Sequence, residues 1–236
     1  MRSLPTSGAL LAVSALVLAL AGCALPQADG KDKPAAAPEP AFTFAYTGDG
    51  GEGFLDQTLA ISNEGDAAAA PDLDIVALDS RGNEMPDITV VTAFGSDEGG
   101  QVVPALTEVI DVLKFKGAQA ADVADVKVTV VDPGTLADDV PQANNFRVKR
   151  FDISGKSTNE NTLGSVLIRN TFDEPVTVMI VGLEFAPADD GEPQHFKQVS
   201  PLAGPLELQP GEKVRERVAD KYRTRFFGSV RAYLVP

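Results

Sequence analysis

The chain has 236 residues, of which 34 are acidic and 20 basic, and its formal net charge is −14. With one cysteine and one histidine, it cannot form a disulfide within one chain, and it lacks the soft ligands of a cysteine–histidine metal centre. Residues 41–145 carry 19 acidic and 4 basic side chains, and this acidity disfavours nucleic acid and anionic lipid as direct partners of that segment.

The start of the chain has the layout of a secretory signal peptide. Arg2 precedes an apolar run over residues 10–21, which is shorter than the ~20 residues that a membrane-spanning helix needs. A basic residue, a short apolar run and small residues, in that order, are typical of a signal peptide that is cleaved off. We therefore predict a signal peptide over 1–22 and no membrane-spanning segment after it.

The only cysteine follows this apolar run directly. The motif Leu20-Ala21-Gly22-Cys23 resembles the lipobox of bacterial lipoproteins. The resemblance implies that a diacylglyceryl group is attached to Cys23, that cleavage follows Gly22, and that the protein is anchored to the outer face of the cytoplasmic membrane. Two acyl chains hold a protein stably on a bilayer, whereas one holds it only marginally. The alternative is an ordinary signal peptide with an incidental cysteine.

Residues 23–40 are predicted to be a disordered tether. They are rich in alanine and proline and show no hydrophobic period, which is typical of a linker with polyproline II character. The 17 residues after the cysteine span up to ~50 Å at about 3.1 Å each. We expect this tether to hold the folded part of the protein away from the bilayer.

From residue 41 the pattern changes to short apolar runs between turn residues, which predicts an antiparallel β-sandwich over 41–133. Phe42, Phe44 and Tyr46 alternate with smaller residues, so a strand places them on one face. Further strands are predicted at 55–62, 73–78, 88–94, 108–115 and 126–131, with a brief helical turn within 119–125.

A second β-sandwich is predicted over 146–236, after a linker at 134–145. Three of its segments repeat segments of the first at offsets of about 104 to 107 residues. The matched pairs are 59–63 with 166–170, 73–79 with 177–184, and 126–131 with 230–235. This near-constant offset favours an all-β fold with two tandem copies of one domain over a single large barrel.

Two turn motifs carry a resemblance to a known family. Residues 78–82 (LDSRG) follow a strand in the first copy, and residues 208–212 (LQPGE) precede a strand in the second. With the strand–Asn–turn pattern, they look like the small immunoglobulin-like domains of bacterial secreted lipoproteins, of the FxLYD type. The first copy lacks the Pro-Gly turn, and the second has Glu184 in place of the Asp. The resemblance implies two immunoglobulin-like sandwiches and a role in adhesion or protein binding.

No catalytic or metal site is predicted. A Ser-His-Asp site would have to use His195, but this residue follows an acidic glycine-containing turn and is expected at an exposed strand start. Acidic residues also occur in glycine-containing loops, where they offer oxygen ligands to Ca²⁺, but none shows the spacing of a calcium loop. These loop residues are Asp49, Glu52, Asp97, Glu98, Asp189, Asp190 and Glu192.

One charge pattern near the end of the chain is a candidate binding site. Lys213, Arg215 and Arg217 alternate, so on a strand they share one face, and Arg223 and Arg225 lie close by in sequence. We predict that these five residues form a basic stripe, with Lys221 and Arg231 near it. The alternatives are a solvated outer face, docking onto the acidic first domain, and contact with an anionic envelope polymer or lipid headgroups. We adopt docking between the two domains as the working hypothesis.

Together these features indicate a lipid-anchored cell-envelope lipoprotein with a non-catalytic binding or scaffold role. The expected partners are the membrane, through the lipid on Cys23, and an envelope protein or polymer. No cofactor and no nucleic acid are expected. The alternatives are an envelope hydrolase or enzyme accessory with its site at the domain junction, and a cation-binding module.

Overall fold

The computed structural model describes residues 41–48, 57–136, 140–141, 146–159, 163–186 and 195–236. The predicted signal peptide, Cys23 and the predicted tether lie outside these residues. From Ala37 to Pro236 the chain forms one compact unit. None of the helices in the described ranges has both the length and the apolar character needed to cross a membrane.

The described residues are all-β, as predicted, and we call those before residue 137 the first half and those from residue 146 the second half. The strands of the first half are β1 Phe42–Thr47, β2 Thr58–Asn63, β3 Asp72–Leu78, β4 Thr89–Thr92, β5 Glu108–Lys116 and β6 Asp125–Asp132. Those of the second half are β7 Lys149–Phe151, β8 Ser165–Arg169, β9 Val176–Phe185, β10 Phe196–Leu208, β11 Lys213–Arg217 and β12 Ser229–Leu234. Short 3₁₀ turns lie at Ser96–Glu98, Ala120–Asp122 and Asp220–Tyr222.

Each half pairs its strands into two antiparallel sheets. The first half has the orders β1-β2-β5-β4 and β3-β6, and the second half has β11-β8-β7 and β10-β9-β12. The fourth strand of each half therefore pairs differently: β4 extends the sheet of β5, whereas β10 pairs with β9. This arrangement agrees with β-sandwich layers, in which alternate side chains of each strand face the core.

The core of the first half follows the predicted alternation. Phe42, Phe44 and Tyr46 are half-buried while their neighbours in β1 are exposed, and all three pack on a buried cluster that includes Leu59 and Leu113. Ala120–Asp122 forms the helical turn predicted within 119–125. These elements were predictable because each has one side exposed to solvent and one side packed on the core.

The internal repeat is visible in two buried asparagines, Asn63 and Asn170. The amide nitrogen of each side chain donates to the carbonyl four residues later at 2.8 Å. Each also donates to a distant carbonyl, that of Val103 at 3.2 Å and that of Leu208 at 3.0 Å. Each side-chain oxygen accepts from the amide two residues later at 2.9 Å. The two halves thus close equivalent turns with the same hydrogen bonds.

A strand start was predicted at His195, but the extent of β10 was not. β10 contains Pro201, Gly204 and Pro205, which interrupt the alternating pattern of a strand. The structure accommodates them because β10 lies at the edge of its sheet, and because its pairing with β9 shifts register around these residues. A proline has no amide hydrogen to donate, so it is tolerated at an edge or at a bulge.

The two halves share buried apolar side chains. Ala93, Phe94 and Val112 of the first half form one buried cluster with Val181, Leu183 and Phe196 of the second half. The ring of Phe94 lies 5.1 Å from that of Tyr233 in an edge-on arrangement. The amide of Val102 donates to the carbonyl of Leu234 at 3.0 Å.

The predicted linker at 134–145 begins inside the fold. The amide of Leu136 donates to the carbonyl of Ala68 at 2.9 Å, and the amide of Ala70 donates to the carbonyl of Gly134 at 2.9 Å. Leu136 also packs on the core cluster of the second half. The first residues of this segment are therefore ordered, because their backbone groups pair with the first half.

Candidate functional site

The candidate site is the outward face of the sheet β11-β8-β7. Val166 and Ile168 of β8 point into the core and are fully buried, so their neighbours in β8 point outward. The pairing register places Lys213 beside Arg169, Arg215 beside Leu167, and Arg217 beside Ser165. On the other side of β8, Lys149 lies beside Leu167 and Phe151 beside Ser165. We call Lys149, Arg169, Lys213, Arg215 and Arg217 the basic face.

Arg215 has the most contacts in the basic face. Its guanidinium lies over the ring of Phe151, with the guanidinium carbon 3.9 Å from the ring centroid. Its Nε donates to Ser165 Oγ at 2.9 Å, and one terminal nitrogen reaches the carbonyl of Gly155 at 3.5 Å. These contacts use two of the five N–H donors of a guanidinium, so the group is held in place and keeps donors for an anion.

The other two residues of the predicted stripe do not lie on the basic face. Arg223 is mostly buried and binds Asp220 at 2.9 Å, while Asp220 also contacts the exposed Arg217 at 3.5 Å. Arg225 binds Glu184 of β9 at 2.8 Å. Arg223 and Arg225 follow the 3₁₀ turn Asp220–Tyr222 and are not part of β11, so a single stripe of all five residues stays a prediction.

Arg169 and Lys149 belong to the basic face and were missed from the sequence. The alternation over 165–169 predicts that Arg169 points outward. What the sequence did not provide was the pairing of β8 with both β11 and β7, which brings cations from three segments together. The residues Arg169, Lys149 and Lys213 have no carboxylate within salt-bridge distance in the part of the chain that the structure describes.

The working hypothesis that the stripe docks onto the first half has no support among the described contacts. The contacts of the basic face are made with Phe151, Ser165, Gly155 and Asp220, all in the second half. The halves meet elsewhere, through the shared apolar cluster and a hydrogen bond from Lys114 Nζ to the carbonyl of Lys197.

A buried carboxylate, Asp111, lies beside the junction of the halves, and sequence reasoning did not single it out. It is fully buried. Its Oδ1 accepts the amides of Ala93 at 2.9 Å, Phe94 at 3.0 Å and Val112 at 2.6 Å. Its Oδ2 accepts the hydroxyl of Ser96 at 2.6 Å and the amide of Ser96 at 3.3 Å. Asp111 therefore fixes the loop after β4, which bends where Gly95 has a φ of 75°.

Burial raises the pKa of Asp111, and the hydrogen bonds from Ser96 and the backbone oppose this shift. Burial, and then the charge of Asp111, raise the pKa of Tyr233 to about 12. Both oxygens of Asp111 accept hydrogen bonds from the loop after β4, so this carboxylate has a structural role.

A cleft of about 170 Å³ lies where the halves meet. It is small for a ligand pocket, since such pockets measure about 300–1,000 Å³. None of its described lining residues is ionisable: they are Val102, Leu136, Val140, Pro141, Pro175, Val176, Thr177, Leu234, Val235 and Pro236.

Those remaining candidates from the sequence that the structure describes form no further site. His195 lies exposed directly before β10, as predicted, and its carbonyl accepts the amide of Ala186. Asp97 accepts the hydroxyl of Thr92. Asp49, Glu52, Asp189, Asp190 and Glu192 lie outside the described residues. Within the described ranges, no group of three or more histidine, cysteine or acidic residues is placed to hold a metal ion.

No protein-family model, no curated protein and no solved structure matches this chain.

Proposed function

We propose that this chain is an exported lipoprotein with a non-catalytic binding or scaffold role. In this proposal a lipid on Cys23 holds it at the outer face of the cytoplasmic membrane. A tether presents two immunoglobulin-like β-sandwiches, and an acidic envelope protein or polymer binds to the basic face. The proposal for Cys23 rests on its place directly after the apolar run, within Leu20-Ala21-Gly22-Cys23.

The observation that carries the binding role is the basic face itself. It gathers five exposed cations from three strands on a chain whose net charge is −14. Like charges on neighbouring strands destabilise a sheet, so this arrangement costs stability unless a partner neutralises it. A cationic surface also speeds the encounter with an anionic partner.

The anchor is tested in cells with Cys23→Ser. We expect this variant to lose labelling by a fatty-acid analogue and to leave the membrane fraction, because the thiol is the attachment point. Cys23→Ala is a second variant with the same expectation. Unchanged labelling and fractionation of both variants would contradict the anchor.

The basic face is tested by sedimentation of the full chain, carrying Cys23→Ser, with isolated cell envelopes. We expect the triple variant Lys213→Gln, Arg215→Gln, Arg217→Gln to lose at least tenfold in bound fraction. Binding should also fall with salt, since exposed charges are screened. The matched control Arg81→Gln, Lys116→Gln, Arg231→Gln removes the same charge from exposed positions elsewhere. Equal binding by both triple variants would exclude the basic face.

A further inference from the structure

Within the described ranges, no strand pairs with the outer edge of β11. In the order β11-β8-β7, β11 is an edge strand. The amide of Asn170 donates to the carbonyl of Glu212 at 2.9 Å, and the amide of Val218 donates to the carbonyl of Gly164 at 3.1 Å. In an antiparallel pair the bonded residues alternate, so the even-numbered residues of β11 face β8. The backbone groups of Lys213, Arg215 and Arg217 therefore face away from the sheet.

The same three residues supply the side chains of this edge. Their side chains lie on the outward face, about 7 Å apart along the strand. An added strand would place its own alternate side chains directly opposite them, about 5 Å away. Opposite charges in such positions stabilise pairing, and like charges destabilise it. The edge of β11 thus favours acidic partners and rejects basic strands, including a second copy of itself.

The first half shows the same kind of edge with a strand added. β5 follows β4 as β11 follows β10, and β5 pairs with β2 as β11 pairs with β8. The other edge of β5 is occupied by β4, which pairs from Thr89↔Lys116 to Thr92↔Leu113. The second half has no strand on the corresponding side of β11 among the described residues, because β10 pairs with β9.

We propose that an extended acidic polypeptide segment binds this chain by adding a strand to the edge of β11. Its Asp or Glu side chains, at alternate positions, face Lys213, Arg215 and Arg217, and its backbone pairs with theirs. Main-chain hydrogen bonds supply affinity in this mode of recognition, and the alternate side chains supply specificity. Arg215 is the central contact because Phe151 and Ser165 already hold its guanidinium. This inference rests on the proposed function, and it names the partner class of the basic face.

The test uses the full chain carrying Cys23→Ser and two synthetic peptides of one composition. In the first peptide, glutamate alternates with valine and threonine, and in the second the glutamates are contiguous. We expect the alternating peptide to bind at least tenfold more tightly. We also expect Arg215→Gln to weaken its binding about tenfold or more, because a hydrogen bond between charged groups is lost. The control Arg81→Gln should change binding by less than about twofold, since Arg81 is exposed in a turn of the first half.

Amide hydrogen exchange distinguishes strand addition from charge attraction, because charge attraction alone does not slow the exchange of backbone amides. In the free chain, the amides of Lys213, Arg215 and Arg217 should exchange fast, and those of Val214 and Glu216 slowly. Saturation with the alternating peptide should slow the three fast amides at least tenfold. Binding of both peptides without this protection would overturn strand addition and leave the proposed function standing. The same conclusion would follow if oligo(glycerol phosphate) or phosphatidylglycerol vesicles, and not the peptide, bound to the wild type and lost binding in the basic-face variant. Loss of envelope binding in the sedimentation assay is the separate test of the proposed function.

Discussion

At the scale of single residues, Asp111 is the polar group on which the most structure depends. Its Oδ1 accepts three backbone amides, and its Oδ2 accepts Ser96. Two of those amides belong to Ala93 and Phe94, whose side chains form the apolar contact with the second half. A single carboxylate thus positions the part of the first half that touches the second.

We predict that Asp111→Ala lowers the free energy of unfolding by about 3–5 kcal/mol, because several buried donors lose their acceptor. Asp111→Asn should cost only about 1–2 kcal/mol, since it keeps an oxygen for the three amides and its NH₂ group can donate to the Ser96 hydroxyl. Urea unfolding of both variants measures these differences. Equal losses in the two variants would mean that the hydrogen bonds at Oδ1 do not matter.

The stability difference between the wild type and Asp111→Asn should depend on pH. Burial raises the pKa of Asp111 in the folded state, so the folded protein holds this proton more tightly than the unfolded chain. The resulting contribution to stability is fully present below the ordinary value of 3.8 and is lost as the pH rises through the folded-state pKa. The stability difference between the wild type and Asp111→Asn should therefore shrink as the pH rises from about 3 toward neutrality. A difference that grows instead would contradict the raised pKa.

Residues also show what a single sequence can reveal. Asn63 and Asn170 were recognised as repeated strand ends, but their hydrogen bonds to Val103 and Leu208 join segments about 40 residues apart in sequence. The burial of Asp111 was not predictable either, because an acidic residue in an acidic segment has the pattern of a surface residue. Both cases depend on which loops fold over a strand, and local sequence does not encode that.

At the scale of elements, β9 admits an aromatic ring because it has a glycine at its centre. Gly182 lies beside Ser200 of β10 and Val230 of β12. A Cβ added there would lie 2.4 Å from an edge atom of the Phe227 ring. Phe227 is 1% exposed, so its ring has no room to move aside.

We predict that Gly182→Ala lowers the free energy of unfolding by about 1–3 kcal/mol, the usual cost of overpacking a core. In a Phe227→Leu background the same substitution should cost less, because the smaller side chain leaves room for the new methyl group. Thermal unfolding of the two single variants and the double variant gives the coupling. Strictly additive losses would show that the two residues do not compete for space.

The strands themselves were predicted unevenly, for physical reasons. β1, β3, β5, β6 and β12 have regular alternation or β-branched runs, and their predicted limits differ from the observed ones by at most one residue. The start of β10 was predicted at His195, but its extent was not, because its prolines break the pattern and its place at a sheet edge is decided by tertiary structure. The basic residues of β11 were found, but their neighbours Arg169 and Lys149 needed strand pairing, which no local pattern specifies.

At the scale of the whole molecule, the two halves are joined by a shared core. Phe94 is buried against Tyr233, and Val102 of the first half packs in the core cluster of the second. The sequence predicted two domains and a linker, because their turn signals repeat. Apolar contact between the halves was not predicted, because the same apolar residue types occur at an interface and in a core.

We predict that the halves unfold in one transition, because neither can open without exposing the shared cluster. Hydrogen exchange of core amides in β2 and in β8 should give the same free energy of opening. Phe94→Ala should lower both values, with a loss of about 3–5 kcal/mol. Phe146→Ala, where Phe146 packs on Phe172 within the second half, should also lower both values, because the two halves open together. Distinct opening free energies in the wild type would contradict this coupling.

The different pairing of β4 and β10 also bears on how a chain with an internal repeat avoids misfolding. Tandem repeats with similar sequences are prone to exchange strands between copies during folding. Here the fourth strand of each copy joins a different layer, and β10 with its prolines and shifted register has no counterpart in the short β4. A strand from one copy is therefore a poor substitute for its equivalent in the other. This difference in pairing lets each half recognise its own strands.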